Sequence, residues 1–158
     1  MAENEQALND VVERSAAILT SAGFPKMPAR VVMALTVEES GGLTAVELSE
    51  QLGVSAAAIS GAVRYLQQIG IVRRVAQTGS RRDRYELPED PWYAALASKN
   101  EIYEVLAAQA DAGAASITDP TSIARARLLE MADFYRFFGR RVPELLEEWE
   151  QLRSDQAD

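Results

Sequence analysis

The pattern of apolar and polar positions predicts two short helices near the middle of the chain. The first begins at Thr44, because Thr44 and Glu47 have the spacing of a capping box, and it ends at Gly53. The second begins at Ser55, which supplies an N-cap hydroxyl. Its apolar positions recur on one face, at Ile59, Ala62, Val63, Leu66 and Ile69. Two short helices joined at a glycine-containing turn are typical of a helix-turn-helix.

A strand, a turn and a returning strand are predicted directly after these helices. Residues 71–75 have the β-branched composition of a strand, residues 77–80 have turn chemistry, and residues 83–87 alternate as a second strand. We expect Leu43 and Thr44 to pair with this hairpin as a short third strand. A helix-turn-helix followed by a β-hairpin is a winged helix.

Amphipathic helices are predicted on both sides of the winged helix, over residues 3–22, 29–37, 92–112, 119–139 and 144–153. We expect breaks at residues 111–115 and at Gly139. The aromatic residues Phe134, Tyr135, Phe137 and Phe138 are expected mainly in the core. The apolar faces of these helices can be buried only against each other and against a second copy of the chain. This predicts a dimer. The alternative is that these helices pack as an intramolecular cap.

The predicted fold is therefore mainly α with a small β-hairpin wing. We divide it into an N-terminal dimerisation helix (residues 1–23), a winged helix-turn-helix domain (residues 24–88) and a C-terminal helical dimerisation region (residues 89–158).

Positive charge is concentrated on the predicted winged helix. The net charge of the chain is −8, yet residues 55–85 contain six arginines and one acid, a local balance of +5. These arginines lie in the segment predicted to enter a DNA groove. Their positive charge would neutralise DNA phosphates. The alternative is a solvated charged hairpin on a winged-helix protein that binds other proteins and not DNA.

Several classes of function are disfavoured by composition. The chain has no cysteine and no histidine, and so lacks thiol redox chemistry, the commonest metal ligand and the commonest general base. It also has no glycine-rich phosphate loop, and we expect neither an enzyme nor a cofactor. No apolar run approaches the roughly 18 residues of a membrane span, and the N-terminus does not have the pattern of a signal peptide. We expect a cytoplasmic protein with no membrane contact.

Three segments carry a resemblance to a known family, namely residues 48–55 (Leu-Ser-Glu-Gln-Leu-Gly-Val-Ser), residues 66–74 and residues 79–83. They resemble the MarR-type transcriptional regulators. Residues 23–30 (Gly-Phe-Pro-Lys-Met-Pro-Ala-Arg) are similar to the GbsR-like branch. The resemblance implies a homodimer formed by the first helix and the last three. The family commonly carries Asp-Arg-Arg at the wing tip; Ser80 replaces that acid here, and Asp83 is the candidate substitute.

The predicted DNA contacts follow from this arrangement. Base edges in the major groove are assigned to Ala56, Ala57, Ser60, Gly61 and Arg64. Phosphates are assigned to Ser55 and Arg30, and the adjacent minor groove to Arg81 or Arg82. The remaining wing arginines, Arg73 and Arg84, complete the predicted basic surface.

We therefore expect a homodimeric transcriptional regulator that binds double-stranded DNA. It would act as a repressor that reads a palindromic operator. Its candidate small-molecule effector is an apolar or quaternary-amine metabolite, since GbsR-like relatives include sensors of choline-type osmolytes. The predicted crevice lies near Phe24, Trp92 and Tyr93, at the proline-stiffened joint that follows the wing. A constitutive regulator with a filled crevice is the alternative.

Overall fold

The computed structural model describes residues 2–76, 82–97 and 100–157. Clustering of the chain gives two compact units, residues 1–94 and residues 95–158. The elements are α1 (Ala2–Ser21), α2 (Lys26–Thr36), β1 (Leu43–Thr44), α3 (Ala45–Leu52), α4 (Ala56–Gln68), β2 (Arg73–Ala76), β3 (Asp83–Glu86), α5 (Pro91–Ala97), α6 (Asn100–Ser116) and α7 (Ile123–Ala157).

The capping signals at the two central helices are confirmed. The Thr44 hydroxyl accepts a hydrogen bond from the Glu47 backbone N–H at 3.3 Å, and the Glu47 carboxylate accepts one from the Thr44 N–H at 2.7 Å. Gly53 ends α3 with φ at 63°, a left-handed conformation that suits glycine. The Ser55 hydroxyl accepts from the Ala58 N–H at 3.3 Å and so caps α4. Local sequence therefore determines both ends of the turn between α3 and α4.

The predicted third strand is also confirmed. The three strands form one antiparallel sheet in the order β1-β3-β2, with Leu43 opposite Tyr85 and Arg73 opposite Glu86. The first strand of the hairpin begins two residues later than predicted, because Ile71 and Val72 are buried ahead of the ladder. The wing is the hairpin of β2 and β3, and its strand β3 also pairs with β1.

The first unit has its core between α1, α2 and the helix-turn-helix. Fully buried side chains come from each of these elements: Val12, Val31, Val32, Leu48, Ile59 and Leu66. Burial of a side chain of this size stabilises the fold by about 1.5–3 kcal/mol relative to exposure. The helix-turn-helix is therefore held by apolar contacts on its inner side.

The second unit consists mainly of α6 packed along α7, with a core of Ala107, Ala110 and Ala132. The predicted break at residues 111–115 is wrong, since α6 continues to Ser116. The glycine that suggested it, Gly113, serves packing instead: a Cβ there would lie 3.2 Å from the Leu128 side chain. Gly113 therefore allows close packing of α6 against α7 and does not end α6.

The predicted end of a helix at Gly139 is wrong as well. Helix α7 is continuous over 35 residues, and it contains both Gly139 and Pro143. Pro143 cannot donate a hydrogen bond to the Gly139 carbonyl, which costs about 3 kcal/mol in a helix interior. Burial of Val142 and Leu146 on either side of the proline offsets this cost.

The helix predicted over residues 92–112 falls on α5 and α6, and its continuity across residues 98–99 lies outside the described residues. One further expectation needs correction. Phe134 and Phe137 are more than half exposed, and Tyr135 and Phe138 are half-buried. Phe134 and Phe137 are exposed because α6 covers only one side of α7.

Replacement of Pro143 by alanine tests the continuous α7. Pro143→Ala should raise the free energy of unfolding by up to about 3 kcal/mol, since it restores the hydrogen bond to Gly139 and removes the ring clash. Urea unfolding followed by circular dichroism at fixed protein concentration measures this change, with Gln151→Ala on the same helix as control. If residue 143 opened a separate helix, alanine would leave stability unchanged or lower it.

Candidate nucleic-acid interface

Helix α4 has two chemically distinct sides. Its inner side buries Ile59, Ala62, Val63 and Leu66. The opposite side exposes Ala56, Ala57, Ser60, Gly61 and Arg64, the five residues predicted to meet base edges. The core therefore fixes the rotation of α4 about its own axis, and the small side chains must face outward. Such a surface allows a groove to approach the helix backbone closely, with one arginine available for a base edge or a phosphate.

Gly61 is informative because no contact among the described residues requires a glycine there. A Cβ added at this position would meet no atom of these residues within 4 Å, and the backbone is helical. A glycine in an exposed helix interior is less stable than alanine by roughly 0.5–1 kcal/mol. The fold gains nothing from this glycine, whereas a surface that approaches α4 from outside would.

The start of α4 combines a cap with free backbone donors. Ser55 is exposed, and its hydroxyl accepts the Ala58 N–H at 3.3 Å. The remaining N–H groups of the first turn carry the positive end of the helix dipole, a common position for phosphate. The cap is an observation, and the phosphate contact of Ser55 stays a prediction.

The strands of the wing carry two exposed ion pairs. Arg73 lies 3.4 Å from the Glu86 carboxylate, and Arg74 pairs with Asp83. Asp83 is thus engaged with Arg74 on the neighbouring strand, and its role as substitute for the acid missing at Ser80 stays a prediction. Arg82 is exposed and directly precedes β3, at the loop end of the hairpin. Arg81 lies outside the described residues.

Arg84 is directed back into the protein. Its Nη2 donates to the Ser40 hydroxyl at 2.7 Å and also to the Gly42 carbonyl, and its Nε is buried without an acceptor among the described residues. Both partners belong to the loop that leads into β1. The sequence did not indicate this contact, because Ser40 and Arg84 are 44 positions apart.

Arg30 is also engaged within the chain. Its Nη2 lies 2.6 Å from the Glu13 carboxylate and donates to the Leu52 carbonyl at 3.0 Å, and its side chain is only 17% exposed. It joins α1 and α2 to the last residue of α3. Its predicted contact with phosphate stays a prediction, as do the contacts assigned to the other residues of this surface.

The carboxylate of Glu47 links the cap of α3 to the basic wing. Hydrogen bonds from the backbone N–H and then the hydroxyl of Thr44 lower the pKa of Glu47 below its usual value. The positive charges of Arg84 and Arg82 lower this pKa further. Glu47 therefore stays ionised at neutral pH and is oriented by the cap.

The three residues of the predicted effector crevice occupy different environments. Phe24 packs edge-on against Tyr65, with 5.7 Å between ring centroids, while Trp92 is 49% exposed and Tyr93 is half-buried. A separate cavity of about 360 Å³ lies between α1 and α2, lined by Glu13, Ala16, Ala17, Thr20, Ser21, Lys26 and Arg30. The predicted aromatic crevice stays a prediction.

The described residues contain no group of three or more acidic, histidine or cysteine side chains placed to hold a metal ion. They also contain no helix that is long and apolar enough to cross a membrane.

Comparison with known proteins agrees with this geometry. Residues 22–83 match the MarR family model, and residues 90–153 match the model of the MmpR5-like MarR family transcriptional regulators. The chain thus carries MarR-family winged-helix regulator domains. The two matched segments are separated by residues 84–89. The matched families and relatives are transcriptional regulators and not enzymes.

Two similar proteins illustrate the relationship. A crystal structure of a transcriptional regulator has a TM-score of 0.82 and 25% identity, over 92% of this chain and 99% of that chain. YvaV of Bacillus subtilis (strain 168), whose name describes an HTH-type transcriptional regulator, is 33% identical over 86 residues. The match covers 54% of this MarR-type chain and 48% of YvaV, about half the length of that relative.

Proposed function

We propose that this chain is a homodimeric DNA-binding repressor of the GbsR-like branch, which reads a palindromic operator in the cytoplasm. The observation that carries the proposal is the outer side of α4, where small residues and Arg64 are exposed. MarR-family membership of its domains implies DNA binding, and the exposed side of α4 supplies the surface on which binding would occur.

The roles of individual residues follow from their positions. Ser60, Gly61 and Arg64 lie on the exposed side of α4 and would face base edges in the major groove. The first turn of α4, capped by Ser55, would contact a phosphate. Arg82 and Arg81 would follow the backbone or enter the adjacent minor groove. The ion pairs of Arg73 and Arg74 are exposed, and such pairs are weak enough for a phosphate to replace the carboxylate.

A dimer is supported by apolar side chains that the single chain leaves exposed. On α1 these include Val11 and Ile18, which are 48% and 68% exposed. On α6 and α7 they are Ile102, Val105, Ile123, Met131, Phe134, Phe137, Leu145, Trp149 and Leu152. Leu145, Trp149 and Leu152 recur at helical spacing and form a stripe. Exposed apolar surface of this extent is typical of a protein interface.

A dimer bound over a promoter would repress transcription, because it would exclude other proteins from that DNA. Two α4 helices about 34–36 Å apart would enter successive major grooves. An apolar or quaternary-amine ligand near Trp92 would alter this spacing if it favoured one arrangement of the dimer.

The alternative function is a winged-helix module that binds proteins and not DNA. It is favoured by the intramolecular partners of Arg30 and Arg84, which reduce the number of arginines available for phosphates. The two functions differ in their response to salt, because neutralisation of phosphates releases counterions.

Binding to DNA selected from a random pool tests the proposal. Affinity should fall steeply and linearly with the logarithm of salt concentration. Arg64→Ala should weaken specific binding by about 1–3 kcal/mol if Arg64 contacts a guanine. Arg127→Ala, an exposed arginine on α7, is the matched control and should leave affinity unchanged. Absence of binding at low salt would favour the protein-binding module.

Gly61→Ala should separate stability from DNA binding. We expect it to stabilise the protein by about 0.5–1 kcal/mol, because alanine is the better helix former and its Cβ meets no atom within 4 Å. DNA affinity should fall, because the same methyl group would stand between α4 and the groove. Thermal unfolding and a fluorescence binding titration measure the two effects. Equal DNA affinity of the variant and the original chain would contradict a close approach at Gly61.

The apolar stripe on α7 tests the dimer. Trp149→Glu should shift the protein towards monomer, because it places a charge in the middle of the proposed interface. Sedimentation equilibrium over a range of concentrations measures the shift. Gln151→Glu adds the same charge on the same helix outside the stripe, and it should leave the dimer intact. A monomeric original chain at micromolar concentration would exclude the homodimer.

A further inference from the structure

Arg84 occupies the centre of the small sheet. It lies on β3, the middle strand, opposite Thr44 on β1 and Val75 on β2. A position of this kind on a charged hairpin suggests a side chain directed at DNA. The guanidinium instead turns back across β1, where Nη2 donates to the Ser40 hydroxyl at 2.7 Å, to the Ser40 carbonyl at 3.4 Å and to the Gly42 carbonyl.

The loop that Arg84 holds is the entrance to the helix-turn-helix. Residues 40–42 lead into β1, which has only two residues, and α3 begins immediately after it. A ladder of two residues provides little pairing by itself. Charge-assisted hydrogen bonds to this loop are stronger than neutral ones, and they add a second connection between β3 and the chain entering α3.

Close backbone packing supports the same connection. A Cβ added at Gly42 would lie 2.7 Å from the Tyr85 carbonyl oxygen, so that only glycine fits between the loop and β3. The two residues next to each other on β3, Arg84 and Tyr85, therefore both contact the loop. The Nε of Arg84 is buried without an acceptor among the described residues, which is unfavourable in itself. The side chain keeps this orientation because its other end is well bonded.

We propose that Arg84 is a positioning residue, which fixes the wing relative to α3 and α4 through Ser40 and Gly42 and does not bind phosphate. This inference rests on the proposed DNA-binding function. A winged helix must present α4 and the wing to two grooves at once, and Arg82 lies only two residues from Arg84. Because Arg84 holds β3 against the loop at residues 40–42, it would set the direction of the end of the wing that carries Arg82.

The experiment compares Arg84→Met with Arg64→Ala in the full chain. Amide hydrogen exchange of Leu43, which pairs with Tyr85 on β3, is measured in the free protein, where a phosphate contact has no effect. The Thr44 N–H is not used, because it donates to the Glu47 carboxylate. We expect Arg84→Met to accelerate exchange at the Leu43 amide about tenfold, since β1 loses its second connection to β3. Arg64→Ala should lower DNA affinity and leave exchange at β1 unchanged.

Ser40→Ala provides a milder second variant and a double-mutant cycle. If Arg84 acts through Ser40, the losses of DNA affinity in Ser40→Ala and Arg84→Met should be less than additive in the double variant. Ser40→Ala and Arg64→Ala should be additive. The Ser40→Ala protein keeps Arg84 and every backbone acceptor, and it remains informative if Arg84→Met fails to fold.

The outcomes separate this inference from the proposed function. Unchanged exchange at β1 in Arg84→Met, or additive losses with Ser40→Ala, would overturn the positioning role while DNA binding itself stood. A chain that binds no DNA at low salt would overturn the proposed function, and with it the role of Arg84 in orienting the wing. Accelerated exchange together with non-additive losses of affinity supports the proposal.

Discussion

Burial of one side of α4 is the constraint on which the candidate interface depends. Ile59 and Leu66 are fully buried, and Ala62 and Val63 nearly so, because α4 packs against α2 and α3. A helix held at four positions on one side cannot rotate about its axis without removing apolar side chains from the core. The outward direction of Ser60, Gly61 and Arg64 is therefore a consequence of core packing.

The sequence predicted those parts of the fold that depend on a few neighbouring residues. The capping box at Thr44 and the left-handed glycine at Gly53 each involve residues at most five positions apart. The errors lie where distant contacts decide the outcome. Gly113 and Pro143 disfavour a helix locally, but packing against Leu128 in one case and burial of Val142 and Leu146 in the other maintain it. No local rule contains this information.

The candidate site shows the same division. The count of charges shows that arginines are concentrated in the winged-helix segment, but it cannot distinguish arginines available to a partner from arginines engaged within the chain. Arg30 binds Glu13 and the Leu52 carbonyl, 17 and 22 positions away. Arg73 pairs with Glu86 in an exposed contact that solvent screens. The contacts of Arg30 hold α1, α2 and α3 together. The Arg73–Glu86 pair is weak, so a phosphate would replace the Glu86 carboxylate at little cost in free energy.

Two glycines illustrate how the structure assigns a reason to a residue that the sequence leaves ambiguous. At Gly42 a Cβ would collide with the Tyr85 carbonyl, so the fold itself requires glycine there. At Gly61 a Cβ would meet open space, and alanine would make a better helix. A partner that approaches α4 from outside would give a reason for glycine at this position. Because Gly61 lies on the same exposed side of α4 as Arg64, a partner that needs close approach and bears negative charge accounts for both residues, and the DNA groove has both properties.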